Sequence, residues 1–406
     1  MKHYLVGGAV RDQLLGLSVT EKDWVVVNGS VEEMLALKYQ PVGKDFPVFL
    51  HPQTKEEYAL ARTERKAGRG YRGFVCTTSK VTLEEDLLRR DLTINAMAMD
   101  AQGHLIDPYN GEKDLKNRLL RHVSPAFEED PVRVLRVARF AARFHHLGFC
   151  VAPETLVLMR KMVRDGCIND LVPERIWKEL ERSLCEKSPS VFFQVLRECG
   201  ALKILMPEIE ALFGVPNPPK WHPEVDSGWH TLYVLEQATL LSYSPCVRFA
   251  ALVHDLGKAR TSCLIWPSHR GHEEAGVECI QQLSKRLKIP KAYEKLGALT
   301  AGLHSLVHQS QELTAKALLE LFEKADAFRR PERFLAMLVA CKSDARGRPG
   351  HENEPYPQQE FLTRILFSLR SISTKKLIEE GLSGEAMAKA LSEARIKVIT
   401  QCKQTH

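Results

Sequence analysis

Two carboxylates, Glu21 and Asp23, lie two positions apart, next to an apolar run that extends from Trp24 to Val27. Alternate residues of a β-strand point to the same side, so a strand containing both would present the two carboxylates together. Like charges held this close need a counter-cation, and paired Mg²⁺ ions are the usual solution in phosphoryl transfer. The spacing therefore predicts a two-metal site in which Glu21 and Asp23 are the ligands and the catalytic residues.

A glycine pair, Gly7 and Gly8, precedes these carboxylates and joins a short apolar run to a predicted helix over residues 9–15. Glycines at such a junction let backbone N–H groups approach a phosphate at the positive end of a helix. A glycine pair alone is more often only a tight turn. Together with the acidic pair, it indicates a nucleotide site.

A row of arginines follows Asp130 and Pro131, which predict a helix start with a capping carboxylate and a first-turn proline. The predicted helix continues at least to Phe144 and carries the row on one face, with apolar residues opposite. The row consists of Arg133, Arg136, Arg139 and Arg143. By itself it is equally a solvated basic stripe, whereas beside two metals it predicts a clamp for a triphosphate and a base.

A second group of candidate ligands lies in the later part of the chain. His254 and Asp255 follow an apolar run and precede Gly257 and Lys258. A nitrogen and a carboxylate ligand at the end of a buried helix are typical of a transition-metal site. The remaining candidate ligands in this part of the chain are His230, His272, His304 and Asp344.

The first set of motifs resembles the class II tRNA nucleotidyltransferases, the CCA-adding branch of the DNA polymerase β-like superfamily. The resemblance is carried in order by the motifs at 7–12, 21–23, 89–96 and 129–140 and covers at least residues 1–145. One position departs from it, because Glu21 stands where the family usually has aspartate. The longer side chain alters ligand geometry at one ion.

This resemblance implies nucleotide-binding roles for several residues. Asp130 and Arg133 would contact the edge of the incoming base, and Arg136 and Arg139 would contact phosphate or base. Ribose and phosphate recognition falls to the motif of Arg89, Arg90 and Asp91. Gly8 and Arg11 belong to the same predicted nucleotide site, and Glu64 is a weaker acidic candidate.

The second set resembles the HD phosphohydrolase superfamily, with His230, His254, Asp255 and Asp344 as its metal ligands. His254 and Asp255 would be the catalytic pair, and His272 and His304 would bind a second metal or phosphate. Histidine-rich ligation favours Ni²⁺ or another divalent transition metal over Mg²⁺. In the multifunctional bacterial type of CCA-adding enzyme, such a domain is credited with 2′,3′-cyclic phosphodiesterase, 2′-nucleotidase and phosphatase activities.

The elements that must position these residues change character along the 406-residue chain. Short apolar runs with glycine and proline between them predict an α/β head over residues 1–122. The resemblance implies that this head is of the polymerase β-like class. Helical periodicity predicts mostly helices after this head. The resemblances imply a neck and body over 123–220, an HD domain over 228–329 and a tail over 330–406. The tail includes a basic-acidic run at 375–381 that precedes a helix ending near Arg395.

Composition sets the broad class of protein. Hydrophobic residues make up 44% of the chain and charged residues 27%, which is globular composition. The net charge of +6 permits a nucleic-acid partner without establishing one. The closest cysteines, Cys185 and Cys199, are too far apart for a thiolate zinc motif. No secretion signal and no long apolar run is present, so we expect a cytoplasmic protein without membrane contact.

The leading hypothesis is an enzyme that adds and repairs the tRNA 3′ CCA from CTP and ATP and also hydrolyses phosphoesters. Mg²⁺ is the expected cofactor of the first activity, and a monomer and a homodimer both remain open. A poly(A) polymerase with the same head would differ from it at one motif. The polymerases resemble a Gly-basic-basic-Phe pattern, which the sequence Gly43, Lys44, Asp45 and Phe46 breaks. A regulatory RNA-binding protein with an inactive head and a nucleotide phosphohydrolase are weaker hypotheses.

Overall fold

The computed structural model describes residues 1–42, 47–66, 74–78, 80–220, 222–372 and 383–404. The predictions for 43–46 and 375–381 lie outside these residues, and so does the side chain of Glu64. The chain forms two compact units. The first comprises Met1–Ser183 and Val191–Ile204, and the second comprises Leu184–Ser190 and Leu205–His406. The four-region division made from the sequence remains a prediction.

A seven-stranded sheet organises the amino-terminal part of the first unit, in the order β3-β4-β5-β2-β1-β8-β9. Its strands are β1 (Lys2–Val6), β2 (Asp23–Val27), β3 (Gln40–Val42), β4 (Val48–Leu50), β5 (Glu57–Leu60), β8 (Ala98–Met99) and β9 (Leu105–Ile106). Strands β2 and β5 are parallel, and the other neighbours are antiparallel. Separate pairs are formed by β6 (Thr63–Lys66) with β7 (Phe74–Thr77) and by β10 (Leu119–Leu120) with β11 (Cys150–Val151).

Successive side chains of β2 point to opposite faces of the sheet and are buried on both. Val25 and Val27 pack into one apolar cluster with Leu87, whereas Val26 packs into another with Phe49. Antiparallel register sets Val6 at the end of β1 opposite Asp23 at the start of β2. The glycine turn that follows Val6 and the carboxylate of Asp23 therefore lie at the same end of the sheet.

Helices complete the first unit and lead into the second. They are α1 (Gly8–Leu14), α2 (Val31–Ala36), α3 (Leu83–Leu88), α4 (Gly111–Asn117), α5 (Val132–Phe144), α6 (Pro153–Arg164), α7 (Pro173–Leu184), α8 (Ser190–Glu198) and α9 (Ala201–Leu205). The predicted helix after Asp130 is α5, although it begins one residue later than expected, with Pro131 as the N-cap. Asp130 still caps it, because its Oδ1 accepts a hydrogen bond from the N–H of Val132 at 3.2 Å.

The second unit is helical in the part of the chain that the structure describes. Its helices are α10 (Pro207–Glu210), α11 (Ser227–Leu241), α12 (Pro245–Val253), α13 (His272–Leu287), α14 (Lys291–His308), α15 (Ala315–Lys324), α16 (Pro331–Arg346), α17 (Pro357–Arg370) and α18 (Gly384–Gln404). The last helix continues past its predicted end near Arg395. Helices α11, α12, α14 and α16 share one apolar core that includes Val234, Phe334 and Met337.

None of the helices in the described ranges is sufficiently long and apolar to span a membrane. Each of the nine cysteines with described side chains is free.

Candidate active sites

The first unit contains a cavity of about 860 Å³ that collects the residues predicted for a nucleotide site. Its walls include Gly8, Arg11, Glu21, Asp23, Arg90, Asp91, Asp130, Arg133, Arg136 and Arg139. These ten residues come from four separate segments of the chain, and the fold brings the segments to one place. Their individual roles remain predictions.

Gly7 has a backbone conformation that glycine tolerates best. Its φ angle is +68°, and a Cβ atom there would lie 2.7 Å from a terminal nitrogen of Arg90. The N–H of Gly7 donates to the carbonyl of Met97 at 3.1 Å. A side chain at this position would therefore displace an arginine of the cavity wall as well as strain the turn.

The acidic pair differs in one respect from the prediction, because β2 begins at Asp23 and does not contain Glu21. Both carboxylates nevertheless line the cavity. Burial raises the pKa of Asp23 and the charge of Glu21 raises it further, whereas Arg90 acts in the opposite direction. Two carboxylates in a partly buried cavity are a donor set that fits a divalent cation, because a cation would relieve this repulsion.

A buried carboxylate that the sequence analysis did not identify, Asp86, anchors the two neighbouring arginines. Arg89 donates to its Oδ1 at 2.8 Å, and Arg90 approaches its Oδ2 at 3.4 Å. Burial opposes ionisation of Asp86, but the two guanidinium groups outweigh it and lower its pKa. Because Asp86 lies on the same helical turn, its i, i+3 and i+4 spacing was a usable signal.

Asp91 holds Arg136 in place across the cavity. Nε of Arg136 donates to Oδ2 of Asp91 at 2.7 Å, while Asn95 and the N–H of Leu92 donate to Oδ1, each at 2.9 Å. Burial would raise the pKa of Asp91, but Arg136 and these hydrogen bonds bring it far below its usual range. The carboxylate is therefore an ionised anchor for an arginine in addition to its predicted contact with ribose.

Asp130 and Arg133, the predicted base-reading pair, are held by protein groups. Arg175 on α7 donates to both oxygens of Asp130, at 2.9 and 2.7 Å. Arg133 donates to the carbonyls of Ala126 and Arg89. Arg175 carries no motif of its own that the sequence could reveal, and it becomes part of the site only when α7 packs beside α5.

Phe140 is buried on α5 and also lines the cavity beneath three arginines. The guanidinium carbons of Arg139, Arg11 and Arg136 lie 4.6, 5.3 and 5.6 Å from its ring centre. Arg139 is buried and donates to Glu179 at 2.6 Å. The aromatic face stabilises closely spaced positive charges, which are what a triphosphate requires.

The second unit brings the predicted histidines and aspartates together around two carboxylates. Oδ1 of Asp344 lies 3.0 Å from Nε2 of His230 and 3.6 Å from Nε2 of His254. Oδ1 of Asp255 lies 3.6 Å from Nε2 of His272 and from Nε2 of His304. Two neighbouring groups of three ligands result, each with ligand atoms within 4.8 Å of one another.

Backbone carbonyls orient three of these rings in the same way. Nδ1 of His254 donates to Ala251, that of His272 to His269, and that of His304 to Ala301, at 2.8, 2.9 and 3.0 Å. A carbonyl only accepts, so Nδ1 of each ring carries a proton, and Nε2 is the atom directed toward the carboxylates. This is the orientation of metal-binding histidines.

The electrostatics of the cluster favour a positive charge at its centre. Burial opposes protonation of His254, but Asp255 and Asp344 raise its pKa to about 10. Burial lowers the pKa of His304 to about 4. Nε2 of His254 and Oδ1 of Asp255 are buried and have no hydrogen-bond partner among the described residues. These two atoms, a histidine nitrogen and a carboxylate oxygen without hydrogen bonds, are suitable ligands for a divalent cation.

Four further residues of this site were not found from the sequence. Oε1 of Glu224 lies 2.9 Å from Nδ1 of both His230 and His222. Nε2 of His308 lies 2.6 Å from Oδ2 of Asp344, and Tyr356 contacts the Nδ1 of His308 at 2.8 Å. His308 was detectable, because it follows His304 by one helical turn. The others come from segments whose pairing depends on the tertiary fold.

A cavity of about 660 Å³ opens onto this cluster and is lined by Asp255, Lys258, His272, His304 and Asp344. Lys258 bonds to Asp255 at 2.7 Å. Asp344 belongs to α16, which the predicted division assigns to the tail. The cavity volume is in the range of small-molecule sites.

Three family models match the chain. The poly A polymerase head domain matches residues 3–121, and the HD domain matches residues 229–332. Residues 148–213 match a model described as a probable RNA and SrmB-binding site of polymerase A. The head model does not by itself distinguish CCA addition from poly(A) synthesis.

Full-length relatives are closely similar. A multifunctional CCA protein of Thioalkalivibrio sulfidiphilus is 59% identical over 99% of both chains, and one of Tolumonas auensis is 56% identical over 98% of both. The CCA-adding enzyme of Bacillus stearothermophilus in complex with CTP is 22% identical, with a TM-score of 0.65 over 98% of this chain and 89% of that one. The Thermotoga maritima enzyme complexed with tRNA is 20% identical, with a TM-score of 0.62 over 100% and 91% of the two chains.

Proposed function

Since the chain belongs to the family of multifunctional CCA proteins, we propose that it adds and repairs the 3′-terminal CCA of tRNA and hydrolyses phosphoesters at its second site. The observation that carries the first activity is the cavity in which Glu21 and Asp23 face a wall of arginines. CTP, ATP and tRNA are the proposed partners. Similar structures contain CTP, ATP and tRNA.

The proposed reaction joins the RNA 3′-hydroxyl to the α-phosphate of CTP or ATP and breaks the bond to the β-phosphate, so that pyrophosphate leaves. Arg136 and Arg139 would bind the triphosphate, with Asp91 and Glu179 holding their guanidinium groups. These ion pairs fix the arginines before substrate arrives, so little reorganisation is needed as charge develops. The reaction needs no protein nucleophile.

Glu21 and Asp23 would hold Mg²⁺ in this site. When bound, the metal would neutralise triphosphate charge and lower the pKa of the attacking hydroxyl. Asp23 is well placed for this role, because burial already disfavours its bare negative charge. Glu21 has one more methylene than aspartate. Because Glu21 lies before the first residue of β2, its longer side chain has room to adjust.

Base selection would fall to Asp130 and Arg133. A carboxylate and a guanidinium offer complementary acceptors and donors to the edge of a base. Arg175 fixes the plane of the Asp130 carboxylate by its two hydrogen bonds. The selection would therefore depend on the position of α7 as well as on the two residues that face the base.

The HD cluster would hydrolyse phosphoesters, including 2′-phosphates and 2′,3′-cyclic phosphates. His230, His254, Asp255 and Asp344 would hold a divalent transition metal such as Ni²⁺, with His272 and His304 at a second position. When bound, such a metal would act as a Lewis acid toward the phosphoester. The backbone carbonyls that orient His254, His272 and His304 would keep their Nε2 atoms directed at it.

Poly(A) synthesis and a regulatory role without catalysis in the head have less support. Poly(A) synthesis requires the same head, but the relatives that span the whole chain are named multifunctional CCA proteins. An inactive head has less support because Glu21, Asp23 and the predicted arginines line one cavity. Because tRNA and nucleoside triphosphates are cytoplasmic, the protein would act there.

The decisive experiment uses a tRNA transcript that ends at the discriminator base. It is incubated with Mg²⁺ and with CTP and ATP, together and singly, and the 3′ ends are sequenced. Addition of C, C and A followed by a stop would support the proposal. Long A tails from ATP alone would indicate a poly(A) polymerase, and no extension by folded protein would contradict the proposed head activity.

A further inference from the structure

Arg348 lies on the wall of the HD-site cavity and is not one of the candidate metal ligands. It follows the end of α16 and lies four residues after Asp344. The same cavity is lined by Asp255, His272 and His304. A guanidinium on this wall borders the space that a substrate of the HD site must enter.

The guanidinium of Arg348 makes no hydrogen bond or ion pair with any part of the chain that the structure describes, and its Nε is buried without a partner. Lys258, a second cation on the wall, is by contrast bound to Asp255 and to Asn217. The positive charge of Arg348 helps burial to lower the pKa of His222, and it partly opposes the rise that burial causes in the pKa of Tyr356. An arginine left uncompensated beside a cavity is suited to an anion from outside the protein.

The backbone fixes where this arginine emerges. Gly347 packs directly against α11, and a Cβ atom there would lie 2.7 Å from the Cα and 2.8 Å from the N of Val234. Val234 is one helical turn after His230, so the contact is made on the helix that supplies a metal ligand. Arg348 is thereby held at a set position relative to the cluster rather than on a free loop.

We propose that Arg348 binds the non-bridging phosphoryl oxygens of the HD-site substrate, an inference that rests on the proposed phosphoester hydrolysis. A planar guanidinium can donate two parallel hydrogen bonds to a phosphoryl group, which a lysine cannot do. Lys258 on the cavity wall is already paired with Asp255. The two parallel N–H donors of Arg348 therefore remain for the substrate. It is a substrate-binding residue and not a metal ligand.

The test compares full-length wild type with Arg348→Ala and Arg348→Lys, each loaded with Ni²⁺. Hydrolysis of p-nitrophenyl phosphate and of bis(p-nitrophenyl) phosphate is measured, together with inhibition by inorganic phosphate. Loss of a charge-assisted pair predicts a rise of about 10- to 100-fold in KM and in the phosphate inhibition constant for Arg348→Ala. Arg348→Lys should recover part of the loss. A larger effect on the monoester would indicate that the guanidinium binds a dianionic phosphate. Equal effects on the two esters would indicate that it binds an oxygen that both esters share.

Two controls separate binding from structure. Arg370→Ala removes an exposed arginine at the end of α17 in the same unit and should match wild type. Ni²⁺ binding, measured by equilibrium dialysis, should be unchanged in Arg348→Ala. Values of KM and phosphate inhibition within about twofold of the Arg370→Ala control would overturn the proposal, and so would loss of Ni²⁺ binding.

Failure of the proposed hydrolysis is distinguishable from failure of this inference. If wild type hydrolyses neither ester, inorganic phosphate is titrated calorimetrically into Ni²⁺-loaded wild type and Arg348→Ala. The head cavity is the same in both proteins, so the difference reports the HD site. Loss of one phosphate-binding event in the variant would show that Arg348 binds an anion even though the site does not hydrolyse these esters. Identical titrations of the two proteins would overturn the proposed role of Arg348.

Discussion

Arg175 donates one hydrogen bond to each carboxylate oxygen of Asp130, at 2.9 and 2.7 Å, although the two residues are 45 positions apart. The paired geometry joins α7 to the segment before α5. It also fixes the plane of the Asp130 carboxylate, which would contact the base in the proposed function. Asp130 caps α5 in addition, through the N–H of Val132. One aspartate thus couples a helix start, a second helix and the cavity of the first unit.

Replacing Arg175 should therefore impair nucleotide selection more than stability. We expect Arg175→Ala to lower kcat/KM for CTP and ATP by about 10- to 100-fold, because the carboxylate loses both of its charge-assisted donors. Arg175→Lys should recover little, since an ammonium cannot bond both oxygens in one plane. The measurement is single-nucleotide extension of tRNA ending in the discriminator base or in CC.

Arg160→Ala provides the control for this prediction. Arg160 also donates to a carboxylate, that of Glu198 at 3.2 Å, but the pair is exposed. Such pairs contribute little to stability. Equal kinetics for Arg175→Ala and Arg160→Ala would contradict a role of Arg175 in positioning Asp130.

The two candidate sites should fail independently. Asp23→Ala removes a proposed Mg²⁺ ligand and should abolish nucleotide addition while phosphoester hydrolysis continues. His254→Ala should do the reverse, because His254 belongs to the other cluster. Both activities are measured on the same preparations, with circular dichroism to verify folding. Loss of both activities in either folded variant would contradict two separate sites.

Glu224 should tune the metal affinity of the HD cluster through His230. Its carboxylate faces Nδ1 of that ring at 2.9 Å while Nε2 faces Asp344. Removal of such a partner commonly weakens metal binding by about 10- to 100-fold. We expect this loss for Glu224→Ala and a smaller one for Glu224→Gln, whose amide oxygen still accepts. Competition between a chelator and the protein for Ni²⁺ measures the affinity.

The matched control for Glu224 is Glu332→Gln, in the exposed first turn of α16. This change should leave Ni²⁺ affinity unaltered. If Glu224→Ala binds Ni²⁺ as tightly as the control, the contact with His230 does not orient the ligand.

Asp91 should make the stability of the first unit depend on pH in the acid range. Burial raises its pKa, but Arg136 outweighs burial, so the pKa in the folded protein lies far below the usual 3.8. The unfolded chain then binds more protons, and the stabilisation is present above about pH 4 and is lost as the pH falls toward the folded value. Urea unfolding between pH 6 and pH 3 should show this slope.

Asp91→Asn should flatten that slope and lower stability at neutral pH, because Arg136 loses its charged partner. Asp170→Asn, at an exposed position, serves as the control and should keep the wild-type pH dependence. An unchanged slope in Asp91→Asn would assign the acid sensitivity to different carboxylates, of which Asp86 is the next to test.

The sequence by itself was sufficient for features encoded within a few residues. Alternation from Trp24 to Val27 predicted β2, and the glycine pair predicted the turn into α1. The two families were recognised from short ordered motifs such as Arg89-Arg90-Asp91 and His254-Asp255. These features are local, because periodicity, capping and turn preferences act over one or two turns of chain.

Only the tertiary structure decided which polar groups meet. Asp344 and His230 are 114 positions apart, and Asp91 and Arg136 are 45 apart. Glu224, Arg175 and Arg348 carry no local pattern that distinguishes them from surface residues. Their significance arises because the fold places them, partly buried, beside other charges, and a charge removed from water must be paired or left for a ligand. The motifs thus came from the sequence, whereas the partners that orient them came from the packing of distant segments.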